Sequence, residues 1–206
     1  MHRLGAIAAP WLVNPRQAGA SSGAIAANAS ILRRLKDANL SVEHHDLVVE
    51  SLALKQRVVH RIVSGGMPSP IVKIHLVHGD FHNENILYDA DQDPTCIMDY
   101  EESYLGNGVI DVINFVQFAC CNDGYGAIQV KRGQHFIRRY GECEALSAVD
   151  VRCGWQQFFW RIASSSFLES RLVDGDNIFA GFIRRDVAKL QNYLQRGEEI
   201  VQALLP

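Results

Sequence analysis

The chain has 206 residues, 48% hydrophobic and 21% charged, enough apolar material for one compact domain, or one and a small appendage, with its own core. Net charge is −3 with no basic run, which argues against a nucleic-acid surface; the mild acidic excess suits a cationic partner and a plain solvated surface equally. The five cysteines (Cys96, Cys120, Cys121, Cys143, Cys153) are odd in number and form no Cys-x-x-Cys pair, which points to a reducing, cytoplasmic setting rather than a disulfide framework.

The first residues, Met1 to Val13, are apolar but interrupted by Pro10 and too short to cross a bilayer. They read as a buried helix over Leu4–Trp11, followed by a Pro-, Gly- and Ser-rich loop from Asn14 to Gly23. A helix is predicted over Ala24–Ala38, with Ile25, Ala29, Leu32 and Leu35 on one side. Ser41 offers a weak capping pattern, and a second helix is predicted over Asp46–Val63, with Leu47, Leu54, Val58 and Ile62 inward. Gly65-Gly66 and the prolines after them force a turn. His44, His45 and His60 pair with no carboxylate at ligand spacing and read as surface residues.

Three short apolar runs follow, Ile71–Val77, Ile86–Leu87 and Cys96–Met98, each suited to a strand. Asp89, Asp91, Asp93 and Pro94 supply a hairpin turn, and a polar loop follows the last run. Val109–Cys121 is a strongly apolar helix with Asp111 near its start and with Cys120-Cys121 as core packing. It breaks at residues 122–126. Ile128–Tyr140 is a helix with a basic outer face (Lys131, Arg132, Arg138, Arg139). Ser147–Arg171 is predicted as one long helix, N-capped by Ser147 with Asp150 in its first turns. It carries Trp155, Phe158, Phe159, Trp160 and Phe167, mostly core, with one or two free to receive an ammonium group. Ile178–Leu205 completes the chain as a helix with a break at Gly197.

Between the strand candidates sit His78, Asp80, His82, Asn85 and Asp99. A core strand has no use for so many proton- and metal-handling groups, and an unpaired buried carboxylate is costly, so Asp80 and Asp99 should face a solvated cleft or a cation. A hairpin of this kind sets the end of its second strand beside the loop before its first, bringing Asp80, Asn85 and Asp99 together. Asn85 and Asp99 are hard oxygen ligands of the sort Mg²⁺ takes while keeping waters and substrate phosphates. Asp80 is then free to orient or deprotonate a hydroxyl, which is the equipment of phosphoryl transfer. The bland alternative is an acidic turn between two strands.

HGDFHNENIL followed by CIMDYEESYLGNGVID resembles the catalytic loop and metal-binding segment of the aminoglycoside phosphotransferase and choline kinase group, small-molecule kinases with a protein-kinase-like fold. The resemblance implies an α+β, mainly α-helical architecture, the C-terminal lobe of that fold over residues 1–206. Within it, residues 1–70 would be leading helices, 71–100 a small β-hairpin carrying the catalytic loop, and 101–206 a helical substrate-side subdomain. It implies Asp80 as catalytic base, His78 as a brace for the loop, Asn85 and Asp99 as ligands of Mg²⁺ and hence of ATP, and Asp111 as structural support. His82 and Glu101 either touch substrate or are solvated. The cosubstrate would be ATP and the acceptor a small-molecule hydroxyl, on a cationic molecule if the acidic balance is a guide, with no nucleic acid or membrane involved. The family usually has Pro-Gly where this chain has Asn83-Glu84; Asp99–Glu101 and Asp111–Asn114 lean toward the choline-kinase side.

The N-terminal β-lobe of such kinases, with its glycine-rich phosphate loop and strand lysine, is not recognisable upstream of His78. Lys36 and Lys55 lie on predicted helices and Lys73 on the strand leading into the loop. Three expectations follow: a fragment of a longer kinase, a lobe face covered by a second chain or a homodimer, or a non-catalytic relative acting as a small-molecule or protein-binding module. A metal-dependent hydrolase using His78, Asp80 and His82 is a further alternative, but it lacks an upstream Asp-x-His and a histidine after Gly106-Asn107.

Overall fold

Helical order begins where small residues and caps allow it. The computed structural model describes residues 20–66, 75–121 and 128–205. The predicted helix at Leu4–Trp11, the loop at residues 14–19, the start of the first strand at 71–74 and the break after Cys121 lie outside them. Helix α1 (Ala20–Leu35) starts four residues earlier than predicted, because one glycine among serines and alanines costs too little to stop a helix. It turns Ile31 and Leu35 into the core and leaves Leu32 exposed, correcting the predicted face. Helix α2 (Val42–Ser64) also starts early: the Ser41 hydroxyl accepts the His44 N–H at 3.2 Å and serves as a true N-cap. Gly66, with φ of 91°, turns the chain away at its end.

Four short strands follow: β1 (His75–Val77), β2 (Ile86–Tyr88), β3 (Pro94–Ile97) and β4 (Tyr104–Gly106). They form two antiparallel pairs, β1 with β4 (His75 opposite Gly106) and β2 with β3 (Ile86 opposite Ile97). The hairpin is as predicted. Strand β4 corrects the expected polar loop, since its partner lies far back in sequence and Tyr-Leu-Gly carries no local strand signal of its own. The β1–β4 ladder encloses the β2–β3 hairpin, so the loop after β1 and the turn after β3 are held side by side.

The remaining helices are α3 (Val109–Ala119), α4 (Val130–Cys143), α5 (Ala148–Ser164), α6 (Phe167–Val173) and α7 (Phe179–Leu204). Helix α2 packs on α5 and α7, and α3 packs on α5 and α4. One apolar core runs from Ile31 to Leu204 and includes Trp155, Phe158, Phe159 and Trp160, while Phe167 stays exposed. Ser147 and Asp150 form a full capping box at the start of α5. The predicted single helix from Ser147 to Arg171 is broken at Ser165, which is extended (φ −94°, ψ 134°). Lys55 Nζ holds the Ser165 carbonyl at 2.7 Å. The predicted break at Gly197 is absent: α7 runs through it, and a Cβ there would lie 3.0 Å from the Tyr193 ring, so the glycine serves close packing. Among the described residues no helix is long and apolar enough to cross a membrane.

The core also holds an ion pair. Lys55 (1% exposed) meets Glu169 (0%) at 2.6 Å, and the Ser51 hydroxyl donates to the same carboxylate oxygen at 2.5 Å. Together with the Ser165 contact it ties α2 to α6 and to the corner between α5 and α6.

Candidate active site

The loop after β1 is gripped through its backbone. Asp111, in the first turn of α3, accepts the N–H of His78 at 2.7 Å and of Gly79 at 3.0 Å. Burial pushes the Asp111 carboxyl above the usual range, while those two amides, His78 and Arg161 pull it back. The Gly79 carbonyl accepts from Asn114 Nδ2 at 3.2 Å and from the Arg161 guanidinium, whose other nitrogen donates to Asn114 Oδ1 at 2.9 Å. Tyr104 lies in the same cluster: burial pushes its phenol up to about 12, with Arg161 opposing and Asp111 adding to the shift.

Gly79 itself has φ of +86°, and a Cβ there would sit 2.3 Å from the Glu102 carbonyl oxygen. Gly79→Ala is therefore expected to cost roughly 1–3 kcal/mol for the backbone conformation alone, with the collision added. Urea unfolding would read it as a drop in unfolding free energy; an unchanged midpoint and slope would show that the loop relaxes freely.

His78 is buried with both ring nitrogens engaged by backbone. Its Nδ1 accepts the Asp80 N–H at 3.4 Å, so Nε2 carries the proton donated to the Met98 carbonyl at 2.7 Å. The imidazole thus joins the loop to the residue before Asp99. Asn85 makes the second such link: its Nδ2 donates to the Asp80 carbonyl at 2.9 Å, and its own carbonyl accepts the Met98 N–H at 2.9 Å. Backbone bonds at the base of the hairpin thus link Asp80 to Asn85, and Asn85 and His78 to Met98, the residue before Asp99. Asp99 has φ of 61°, a left-handed conformation that aspartate tolerates better than most residues. Its side chain is exposed.

His82 caps the short 3-10 turn Asn83–Asn85, accepting the Glu84 N–H on Nδ1 at 3.2 Å. Asn83-Glu84 thus replaces the family's usual Pro-Gly with a turn held by an imidazole. The proton left on Nε2 faces Asp80 Oδ2 at 3.3 Å. Glu101 is exposed in the turn after Asp99 and does not line the cavity beside Asp80. That cavity, about 570 Å³, is lined by Asp80, His82, Glu84, Gln117, Cys121 and Lys189 among others. Burial pushes the Cys121 thiol up to about 11, so it stays protonated.

Sequence reasoning missed Arg161, Ser103 (whose hydroxyl donates to the His78 carbonyl at 3.4 Å), Gln117 and Lys189. Arg161 carried a signal, a cation directly after Trp160 on an aromatic helix. The other three had none.

Among the described residues no group of three or more His, Cys, Asp or Glu side chains is placed to hold a metal. The donor set at the hairpin base is smaller: the Asp99 carboxylate and Asn85 Oδ1, which is left over once Nδ2 has bonded to Asp80. Both are hard oxygens of the kind Mg²⁺ takes.

A family model described as the phosphotransferase enzyme family matches residues 13–150, more than half of the 206. No curated protein and no solved structure matches the chain. With that match covering the clamped loop, the hairpin and the start of α5, the chain belongs to the phosphotransferase enzyme family.

Proposed function

We propose that the chain is the C-terminal, catalytic lobe of a kinase-like enzyme that moves the γ-phosphate of ATP to the hydroxyl of a small molecule. The observation that carries this reading is the bonding of Asn85. Its amide nitrogen fixes the Asp80 carbonyl, its carbonyl fixes Met98 beside Asp99, and its remaining oxygen is left for a cation. An acidic turn with no chemistry to do would not need those three residues tied together.

Asp80 accepts the acceptor's hydroxyl proton as that oxygen bonds to the γ-phosphorus and the bond to the departing ADP oxygen breaks. His82 holds one carboxylate oxygen, leaving the other for the hydroxyl. Asp111, Arg161 and Asn114 keep the loop still while this happens. Asn85 and Asp99 would hold Mg²⁺, which supplies charge neutralisation at the phosphates when bound. The hydrolase alternative finds no support, because both nitrogens of His78 are engaged by backbone groups.

Leu76, Leu87, Tyr88, Ile97, Met98, Tyr100 and Leu105 are exposed on and beside the two ladders. Such an apolar face suits cover by an N-terminal lobe, a second chain or a second copy. The five free thiols suit a reducing, cytoplasmic setting.

Calorimetry with Mg·ATP tests the reading. Wild type is expected to bind, and Asp99→Ala to bind about tenfold or more weakly through loss of one charged ligand. Equal binding by the two proteins would contradict the assignment of Asp99. No binding by wild type would favour the non-catalytic binding module instead.

A further inference from the structure

The cavity beside Asp80 is lined by a lysine that, among the described residues, has no salt bridge. Lys189 is 6% exposed, and among the described residues no carboxylate lies within ion-pair distance of it. Its ammonium rests 3.7 Å from the centre of the Phe118 ring and 5.6 Å from that of Phe158. Cation–π contact offsets only part of the cost of desolvating a charge. The same fold shows what a structural buried lysine looks like: Lys55 has a carboxylate at 2.6 Å and a carbonyl at 2.7 Å. Lys189 has neither. Burial lowers its pKa, and Asp186, whose charge also faces Lys55 and Arg185, pulls it back only in part.

A lysine buried to this extent, lining a cavity and lacking an acceptor, calls for an anion. The remaining charges narrow its kind. Asp80, Glu84 and Asp186 also line the cavity, so a dianionic phosphate would meet three carboxylates, whereas a monoanion seated at Lys189 would not be overcharged. A quaternary ammonium would have to bring a positive charge beside Lys189 and Arg185.

We infer that the acceptor is a small hydroxy-carboxylate, which offers its hydroxyl to Asp80 and its carboxylate to Lys189, both of which line the one cavity. The inference rests on the phosphotransferase reading and departs from the cationic acceptor that the acidic balance suggests. The cavity, about 570 Å³, has more than enough room for such a molecule.

The test is ligand-observed NMR on the full chain with matched probes: glycerate against glyceramide, 4-hydroxybutyrate against its amide, and choline as the cationic contrast. Wild type is expected to bind each carboxylate about tenfold or more tightly than its amide or choline. Lys189→Met should erase that preference and Lys189→Arg should keep it. Lys189→Met removes an unpaired buried charge and is not expected to unfold the chain; a thermal melt checks this. The inference is overturned if amides or choline bind as well as the carboxylates, if the preference survives in Lys189→Met, or if no carboxylate binds at concentrations on the order of 10 mM. Mg·ATP titrated into the same samples separates the two levels. Nucleotide binding without carboxylate preference sinks this inference alone, and carboxylate preference without nucleotide binding sinks the phosphotransferase reading.

Discussion

Asp80→Asn is expected to lower phosphoryl transfer roughly 10²–10⁴-fold while leaving Mg·ATP binding and unfolding free energy close to wild type. The separation follows from how the loop is built. Its position is set by the backbone groups of His78 and Gly79, held by Asp111, Arg161 and Asn114, and by the Asp80 carbonyl, held by Asn85. None of these bonds uses the Asp80 carboxylate, which is 44% exposed and, among the described residues, pairs with His82 Nε2. Asparagine keeps the shape and can still meet the imidazole with its oxygen, but it takes up no proton. A structural role would show the opposite pattern, with stability lost in step with activity. ADP release coupled to acceptor phosphorylation, with urea unfolding of the same samples, decides between the two.

The second large effect lies in the core. Lys55→Met is expected to destabilise the chain by roughly 3–5 kcal/mol, because it strands the Glu169 carboxylate at 0% exposure with only the Ser51 hydroxyl for company. For a chain of this size that is a fall of roughly 6–20 °C in Tm. Lys55→Met with Glu169→Leu removes both charges, and most of the loss should return, as buried ion pairs replaced by apolar groups of similar volume are often neutral. The return is not expected to be complete, since the Ser51 hydroxyl and the Ser165 carbonyl each lose a partner. A double variant no more stable than Lys55→Met alone would mean that the bond to Ser165, rather than the charge pair, carries the effect.

These two sites also show what the amino-acid order makes legible. The apolar stripes of α2, α3 and α7 and the caps at Ser147 and Gly65-Gly66 are local signals, and the helices they predict are present. The hairpin is equally local, its turn written in Asp89, Asp93 and Pro94. Strand β4 and the corner at Ser165 are not local. One exists because β1 lies across from it, the other because Lys55 reaches over from α2. The order His78, Asp80, Asn85, Asp99 and Asp111 is readable because these residues lie close together along the chain. The residues that brace and complete the site, Arg161 on α5 and Gln117 and Lys189 around the cavity, arrive by tertiary packing from helices with no shared spacing. Lys55 was within reach of a closer reading. It falls on the apolar stripe with Leu52, Val58 and Val59, where a lysine needs a partner.

On the proposed function, a divalent ion and a nucleotide meet Asn85 and Asp99 at the base of the hairpin. Mn²⁺ can stand in for Mg²⁺ in ATP complexes, and its unpaired electrons broaden the NMR signals of nearby amides. Titrating Mn·ATP into isotopically labelled protein should broaden Asp80, Asn85 and Asp99 first, and Asp99→Ala should suppress the effect. Broadening centred instead on the acidic turn from Asp89 to Asp93, or spread evenly over the surface carboxylates, would contradict the account.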